Sequence, residues 1–153
     1  MRQLLSILFG DSGGQTEQAP GFAPEQVAVA VLMVEAARLD GQIAPAERDR
    51  IQNLLARHFG LTPWVAADLA ARAERTATES VAWQGFTHTI KEAMDEDERI
   101  GVLELLWEVA YADGALHDYE ASLLRRVAGL LYVSDRANGE ARLRVMAKLG
   151  VAR

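Results

Sequence analysis

The sequence predicts an all-α fold of seven to eight helices. Apolar residues recur at helical spacing throughout the chain, and the apolar–polar alternation typical of strands is nowhere sustained. Prolines, glycines and short polar residues stand where these apolar segments begin and end, as they do at helix termini. The chain has 153 residues and no cysteine, so we expect an apolar core of ordinary size and neither disulfides nor thiolate metal sites.

Capping signals place the helices in chain order. An apolar segment at residues 2–9 leads into a linker rich in glycine, serine and glutamine, so residues 1–22 stand apart from one helical domain at 23–150. Prolines and polar caps then predict six helices over 24–39, 45–59, 63–75, 95–112, 118–132 and 134–148. A further helix between the third and fourth of these is predicted to be capped by Thr78 or Ser80 and to end near residue 94. Gly60 is predicted to end the second of these helices, because glycine readily adopts the left-handed conformation of a helix end.

The chain contains an internal repeat. Residues 35–59 align with residues 108–132 without a gap after a shift of 73 positions, and the wider repeats span about 24–75 and 97–148. Both copies carry the pattern E-x4-D-G-x5-E, and the aligned apolar pairs include Phe59 with Tyr132. We therefore expect two pseudo-symmetric helix-loop-helix units, packed so that the two loops, or the two buried glutamates, lie near each other.

The carboxylates of this pattern are the candidate functional residues. In chain order they are Glu35, Asp40, Glu47, Glu108, Asp113 and Glu120. Glu35 and Glu108 lie in strongly apolar helices, where a lone buried charge costs several kcal/mol unless a positive group meets it. Because every candidate ligand is an oxygen, we predict a divalent cation, with Ca²⁺, Mg²⁺ or Mn²⁺ favoured over Zn²⁺.

Two other interpretations of the same residues stay open. In the first they are structural: Asp-Gly ends a helix, glutamate in a first turn complements the helix dipole, and Glu35 pairs with Arg38 or another arginine. In the second they form an acidic groove for a peptide or basic partner. A standard EF-hand is rejected, because its first and third loop positions would be Ala36 and Arg38, which supply no side-chain oxygen.

Charge and hydropathy limit the partners. The net charge of −6 opposes nucleic-acid binding, which needs a basic surface, and no apolar run reaches the ~20 residues of a membrane span. Residues 2–9 are predicted to form either a short docking helix or a peripheral membrane contact. A protein partner is therefore expected, and the location is cytoplasmic or at the inner face of the membrane.

The duplicated motif, set in an all-helical chain, resembles the TerB-like tellurite-resistance family over residues 22–149. The resemblance implies seven or eight helices with internal pseudo-symmetry, an acidic divalent-metal site at the six carboxylates, and a role in tellurite or general stress response. It also implies kinship with domains of DnaJ-like co-chaperones at membranes, in a family for which no catalytic activity is established as a whole. We therefore predict a non-enzymatic metal-binding interaction module. The alternatives are a metal-assisted hydrolase using the same acidic cluster and a purely structural helical adaptor.

Overall fold

The computed structural model describes residues 21–38, 43–79, 84–112 and 118–151. These residues form seven α-helices and no strand, which confirms the predicted fold class. The helices are α1 (Pro24–Ala37), α2 (Pro45–Phe59), α3 (Pro63–Glu79), α4 (Gln84–Ala93), α5 (Glu96–Ala110), α6 (Asp118–Leu130) and α7 (Asp135–Leu149). No helix among the described residues is long and apolar enough to cross a bilayer.

Helices α1 and α5 form the centre of the bundle. Residues 28–34 of α1 are all buried, and this helix contacts five others, α2 to α6. Helix α5 contacts α1, α2, α6 and α7. Apolar residues lie on nearly every face of both helices because each face meets a neighbour. Burial in this core, rather than intrinsic helix propensity, is the main source of their stability.

The corresponding helices of the two predicted repeats make similar contacts. Helix α1 packs extensively on α3, and its counterpart α5 packs extensively on α7. The two halves also touch near their loops, because the Arg50 side chain donates from Nη2 to the carbonyl oxygen of Ala112 at 3.5 Å. This contact brings the second turn of α2 close to the chain that leaves α5.

Most predicted caps are present. Pro45 begins α2, and Ser134 accepts a hydrogen bond from the backbone N–H of Ala137 at 3.0 Å. Asp95, predicted to lie in the first turn of α5, instead caps that helix and accepts the backbone N–H of Glu98 at 2.9 Å. Gly60 ends α2 with φ +67°, in the left-handed conformation. Leu61 then donates its backbone N–H to the carbonyl of Ala56 at 2.9 Å, which closes the helix end.

The end of α6 corrects one predicted match. Tyr132 has φ 60°, and the next residue, Val133, donates its N–H to the carbonyl of Ala128 at 2.9 Å. Tyr132 therefore occupies the position that Gly60 has after α2, and it is 71% exposed. The predicted apolar match of Phe59 with Tyr132 is wrong, because the one-residue deletion falls before the helix end.

Helix α3 is longer than predicted, and the next helix begins later. Thr78 lies inside α3 and does not cap a helix, whereas Ser80 lies outside the described residues. The Thr76 hydroxyl donates a hydrogen bond to the backbone carbonyl oxygen of Arg72 at 2.9 Å. Threonine often caps helices, but a bond of this kind satisfies its hydroxyl inside a helix. Helix α5 ends at Ala110, two residues before its predicted end.

Candidate functional site

The six predicted carboxylates border two loops. Glu35 lies near the end of α1 and Glu47 in the first turn of α2. Glu108 lies near the end of α5 and Glu120 at the third position of α6. Asp40 and Asp113 lie outside the described residues. Each half therefore has one glutamate on either side of its loop.

Glu35 is held by a base on its own helix. Arg38 Nη2 donates to Glu35 Oε2 at 2.9 Å, and the Glu35 side chain is 25% exposed. The two residues are three positions apart, so helical geometry alone brings them together. This is the pairing that the structural interpretation of the sequence anticipated.

Glu108 is buried and is held from another helix. Only 5% of the residue is exposed, and Lys148 Nζ of α7 donates to its Oε2 at 2.6 Å. The sequence predicted that a positive group must meet this carboxylate, and Lys148 meets it. The sequence analysis missed Lys148, because the two residues are 40 positions apart and no local pattern links them.

Glu47 has a structural contact of its own. Its Oε1 accepts the backbone N–H of Ala44 at 3.3 Å, which satisfies a donor at the start of α2. Gln26 and Glu98 make the same kind of bond at the starts of α1 and α5. Glu120 is buried at the equivalent position of α6. Helix capping is therefore one role of Glu47.

A groove of about 260 Å³ lies between α2, α5 and α7. Its lining includes Leu54, Arg57, His58, Glu104, Glu108 and Lys148. One turn before Glu108, Glu104 accepts a hydrogen bond from Arg144 Nε at 2.7 Å, so two acid–base pairs join α5 to α7 along this groove.

The imidazole of His58 also faces this groove. Its ring lies edge-on to that of Phe59, with 4.8 Å between the ring centroids. Although part of the residue faces solvent, burial of the ring lowers the pKa of His58 below its usual 6.5. The imidazole is therefore mainly neutral near pH 7.

Comparison with known proteins decides the family. The family described as "Tellurite resistance protein TerB" matches residues 26–143, which is most of the chain. The chain belongs to the TerB family. A crystal structure of a protein of unknown function from Porphyromonas gingivalis is 22% identical to this TerB chain and superposes with a TM-score of 0.58. The match covers 88% of this chain and 98% of that one, and it shows a shared fold. No curated protein matches the chain.

The donor chemistry of the TerB chain suits a hard divalent cation, because all six predicted ligands are carboxylates. Within the part of the chain that the structure describes, no three acidic or histidine side chains converge on one metal position. The central aspartate of each motif lies outside that part. Glu35 and Glu108 are each already paired with a base through one carboxylate oxygen, Oε2, so a cation at either one would share the negative charge with Arg38 or Lys148.

Proposed function

We propose that this TerB-family chain is a non-enzymatic interaction module of the tellurite or general stress response, with a divalent cation bound at each acidic loop. The main support is the duplicated motif, whose described glutamates stand on both sides of each loop. Two copies of one acidic pattern at equivalent helix ends favour a shared ligand over independent capping. The family membership supports the link to tellurite and stress.

The ligands would be Glu35, Asp40 and Glu47 in the first half and Glu108, Asp113 and Glu120 in the second. Ca²⁺, Mg²⁺ and Mn²⁺ are the ions whose chemistry fits carboxylate donors. A bound cation supplies positive charge between the end of one helix and the start of the next. That charge would hold the two helices of each pair in a fixed arrangement. In this arrangement the surface of the bundle would bind a protein partner.

Calorimetric titration of the full chain with Ca²⁺, Mg²⁺, Mn²⁺ and Zn²⁺ tests the proposal. We expect binding of at least one of the first three and a higher melting temperature, since a ligand at 100 times its Kd adds about 2.7 kcal/mol to stability. Asp40→Asn and Asp113→Asn should each remove one site, whereas Asp68→Asn, at an exposed position of α3, should remove none. Absence of binding by all four ions, with an unchanged melting temperature, would defeat the proposal.

A purely structural adaptor is the second candidate. It is favoured by the two basic partners, Arg38 and Lys148, which already neutralise Glu35 and Glu108. On this alternative, Glu35→Gln and Glu108→Gln leave both the fold and partner binding intact. On the cation proposal, each substitution also weakens binding of the ion.

Residues 2–9 lie outside the described part of the chain, so their docking or membrane contact stays a prediction. Co-sedimentation with vesicles containing anionic lipid distinguishes docking onto the bundle from membrane contact. The full chain is compared with a chain that lacks residues 1–20. Sedimentation that depends on the segment indicates membrane contact. Its absence, together with lower stability of the shortened chain, indicates docking onto the bundle.

A further inference from the structure

We propose that residues 2–9 dock into the groove between α2, α5 and α7, where they take the place that α4 takes on the opposite half of the bundle. The inference does not depend on cation binding. It is carried by the neighbours of α1 and α5, which correspond to each other except for one helix.

Helix α4 is the neighbour that α1 has and α5 lacks. The shift of 73 residues aligns α1 with α5 and α2 with α6, and α3 and α7 follow them. On this alignment the contacts of α1 with α2, α3, α5 and α6 correspond to the contacts of α5 with α6, α7, α1 and α2. Helix α4 also contacts α1 and α6, but no helix of the described residues takes the equivalent place against α5 and α2.

The groove lies at this equivalent place. It is lined by α5 and α2, the counterparts of α1 and α6, together with α7. Gly101 and Glu104 of α5 line the groove and are partly exposed. The aligned residues of α1, Ala28 and Val31, are each only 1% exposed. The same surface is therefore covered in one half of the molecule and open in the other.

Chain order selects the occupant of the groove. Helix α4 comes directly before α5 and packs across the molecule onto α1, and residues 2–9 come before α1 in the same way. The intervening residues 10–20 can span at most about 40 Å when fully extended. Because a domain of this size has a radius of gyration of about 14 Å, that length reaches the groove from the start of α1.

The lining of the groove suits an apolar segment. Leu54 and Leu105 line it and are buried, so they form an apolar floor. Residues 4–9 supply five large apolar side chains to pack on this floor. Arg57 and Lys148 also line the groove, and their aliphatic stems can cover the segment while their charges stay in water.

One charge of the groove complements the segment. Glu104 accepts a hydrogen bond from Arg144 through Oε2, and its Oε1 has no partner among the described residues. Arg2, at the start of the segment, is the complementary charge. Because Glu104 is partly exposed, this pair adds little affinity and mainly sets the direction in which the segment lies.

Introduced cysteines report the docking position, because the chain has no cysteine of its own. Ser6→Cys is combined either with Arg57→Cys in the groove or with Arg125→Cys at an exposed position of α6. We expect the intramolecular disulfide to form at least tenfold faster in the pair with Arg57→Cys. Equal rates in the two pairs would overturn the proposal. Covalent dimers would also overturn it, since they would place the segment on a second copy.

A side chain that fills the groove should block docking. A Cβ atom at Gly101 would lie 3.7 Å from Cε1 of His58, which is an ordinary contact, so Gly101→Gln should leave α5 in place. We expect this substitution to slow the disulfide between Ser6→Cys and Arg57→Cys several-fold. Gly129→Gln, at an open position of α6, is the matched control and should not slow it. An unchanged rate in Gly101→Gln would show that the segment lies elsewhere.

Trace acylation of lysines tests the docking without a cross-link. A docked segment covers part of the Lys148 amine, so the double substitution Leu5→Gln and Leu8→Gln should raise its acylation by acetic anhydride several-fold, as read by mass spectrometry. Lys91 lies on α4 with its Nζ 3.8 Å from the centroid of the Tyr132 ring, and it serves as the internal control that should not change. Acylation of Lys148 that is the same in both proteins would refute the docking.

Discussion

Trp107 donates its indole N–H to the side-chain oxygen of Asn138 across 3.0 Å in the buried seam between α5 and α7. Arg142 lies over the same indole, with 5.1 Å between its Cζ and the ring centroid, and donates from Nε to the hydroxyl of Tyr111 at 2.8 Å. The helix that carries Glu108 is thus fixed to the helix that carries Lys148 by directional contacts as well as by apolar packing.

Asn138→Ala should lower the free energy of unfolding by about 1–3 kcal/mol, because it leaves the buried indole N–H without an acceptor. Urea denaturation followed by circular dichroism measures the change. Asn53→Ala, at an exposed position of α2, is the control and should change stability by no more than about 0.5 kcal/mol. Equal losses in the two variants would show that the Trp107–Asn138 bond adds nothing specific.

Tyr132→Gly should be more stable than Tyr132→Ala by about 1 kcal/mol, because only glycine adopts φ near +60° without steric cost. Both variants lose the contact with Lys91, so their difference isolates the backbone strain. Thermal or urea unfolding of the pair measures it. Gly60→Ala, at the equivalent helix end, should lose a similar amount, and no loss there would contradict the assignment of the two ends as equivalent.

The stability contributed by His58 should depend on pH. Its pKa is lowered in the folded protein by burial, so the unfolded chain binds the proton more readily. The contribution is therefore present above the unfolded pKa of 6.5 and is lost as the pH falls below it toward the folded pKa. Unfolding free energies between about pH 7.5 and about pH 5 should fall less steeply in His58→Gln than in the wild type. An unchanged slope in His58→Gln would contradict the lowered pKa of His58.

Glu47→Gln separates helix capping from cation binding. The amide oxygen still accepts the N–H of Ala44, so stability without added cation should change by less than about 0.5 kcal/mol. The lost negative charge should nevertheless weaken calorimetric binding at the first loop. Glu47→Ala should lose both properties, and wild-type cation affinity in both variants would remove Glu47 from the ligand set.

The sequence predicted helix ends well where a single residue type dictates the backbone. Pro45, Gly60 and Ser134 mark the ends found in the structure, because each acts through its own conformational restriction or hydrogen bond. The boundary between α3 and α4 was missed. Thr78 has the chemistry of a cap, yet α3 continues through it to Glu79.

The candidate site was predictable from the sequence only where local spacing or local hydropathy determines a contact. Arg38 is within helical reach of Glu35, so their pairing could be inferred from spacing. Apolar neighbours showed that Glu108 would be buried and would need a positive partner. Lys148 could not be named in advance, because only the packing of α7 on α5 brings its ammonium to Glu108.

Helix α1 belongs to both halves of the molecule. Its first-half neighbours, α2 and α3, cover part of its surface, and α4, α5 and α6 cover the rest. A fragment cut after residue 75 would expose to water the flank of α1 that those later helices bury, at a cost of about 25 cal/mol for each Å² of apolar area. We expect such a half-chain to unfold or to self-associate through this flank, so the two halves that carry the duplicated motif depend on each other for stability.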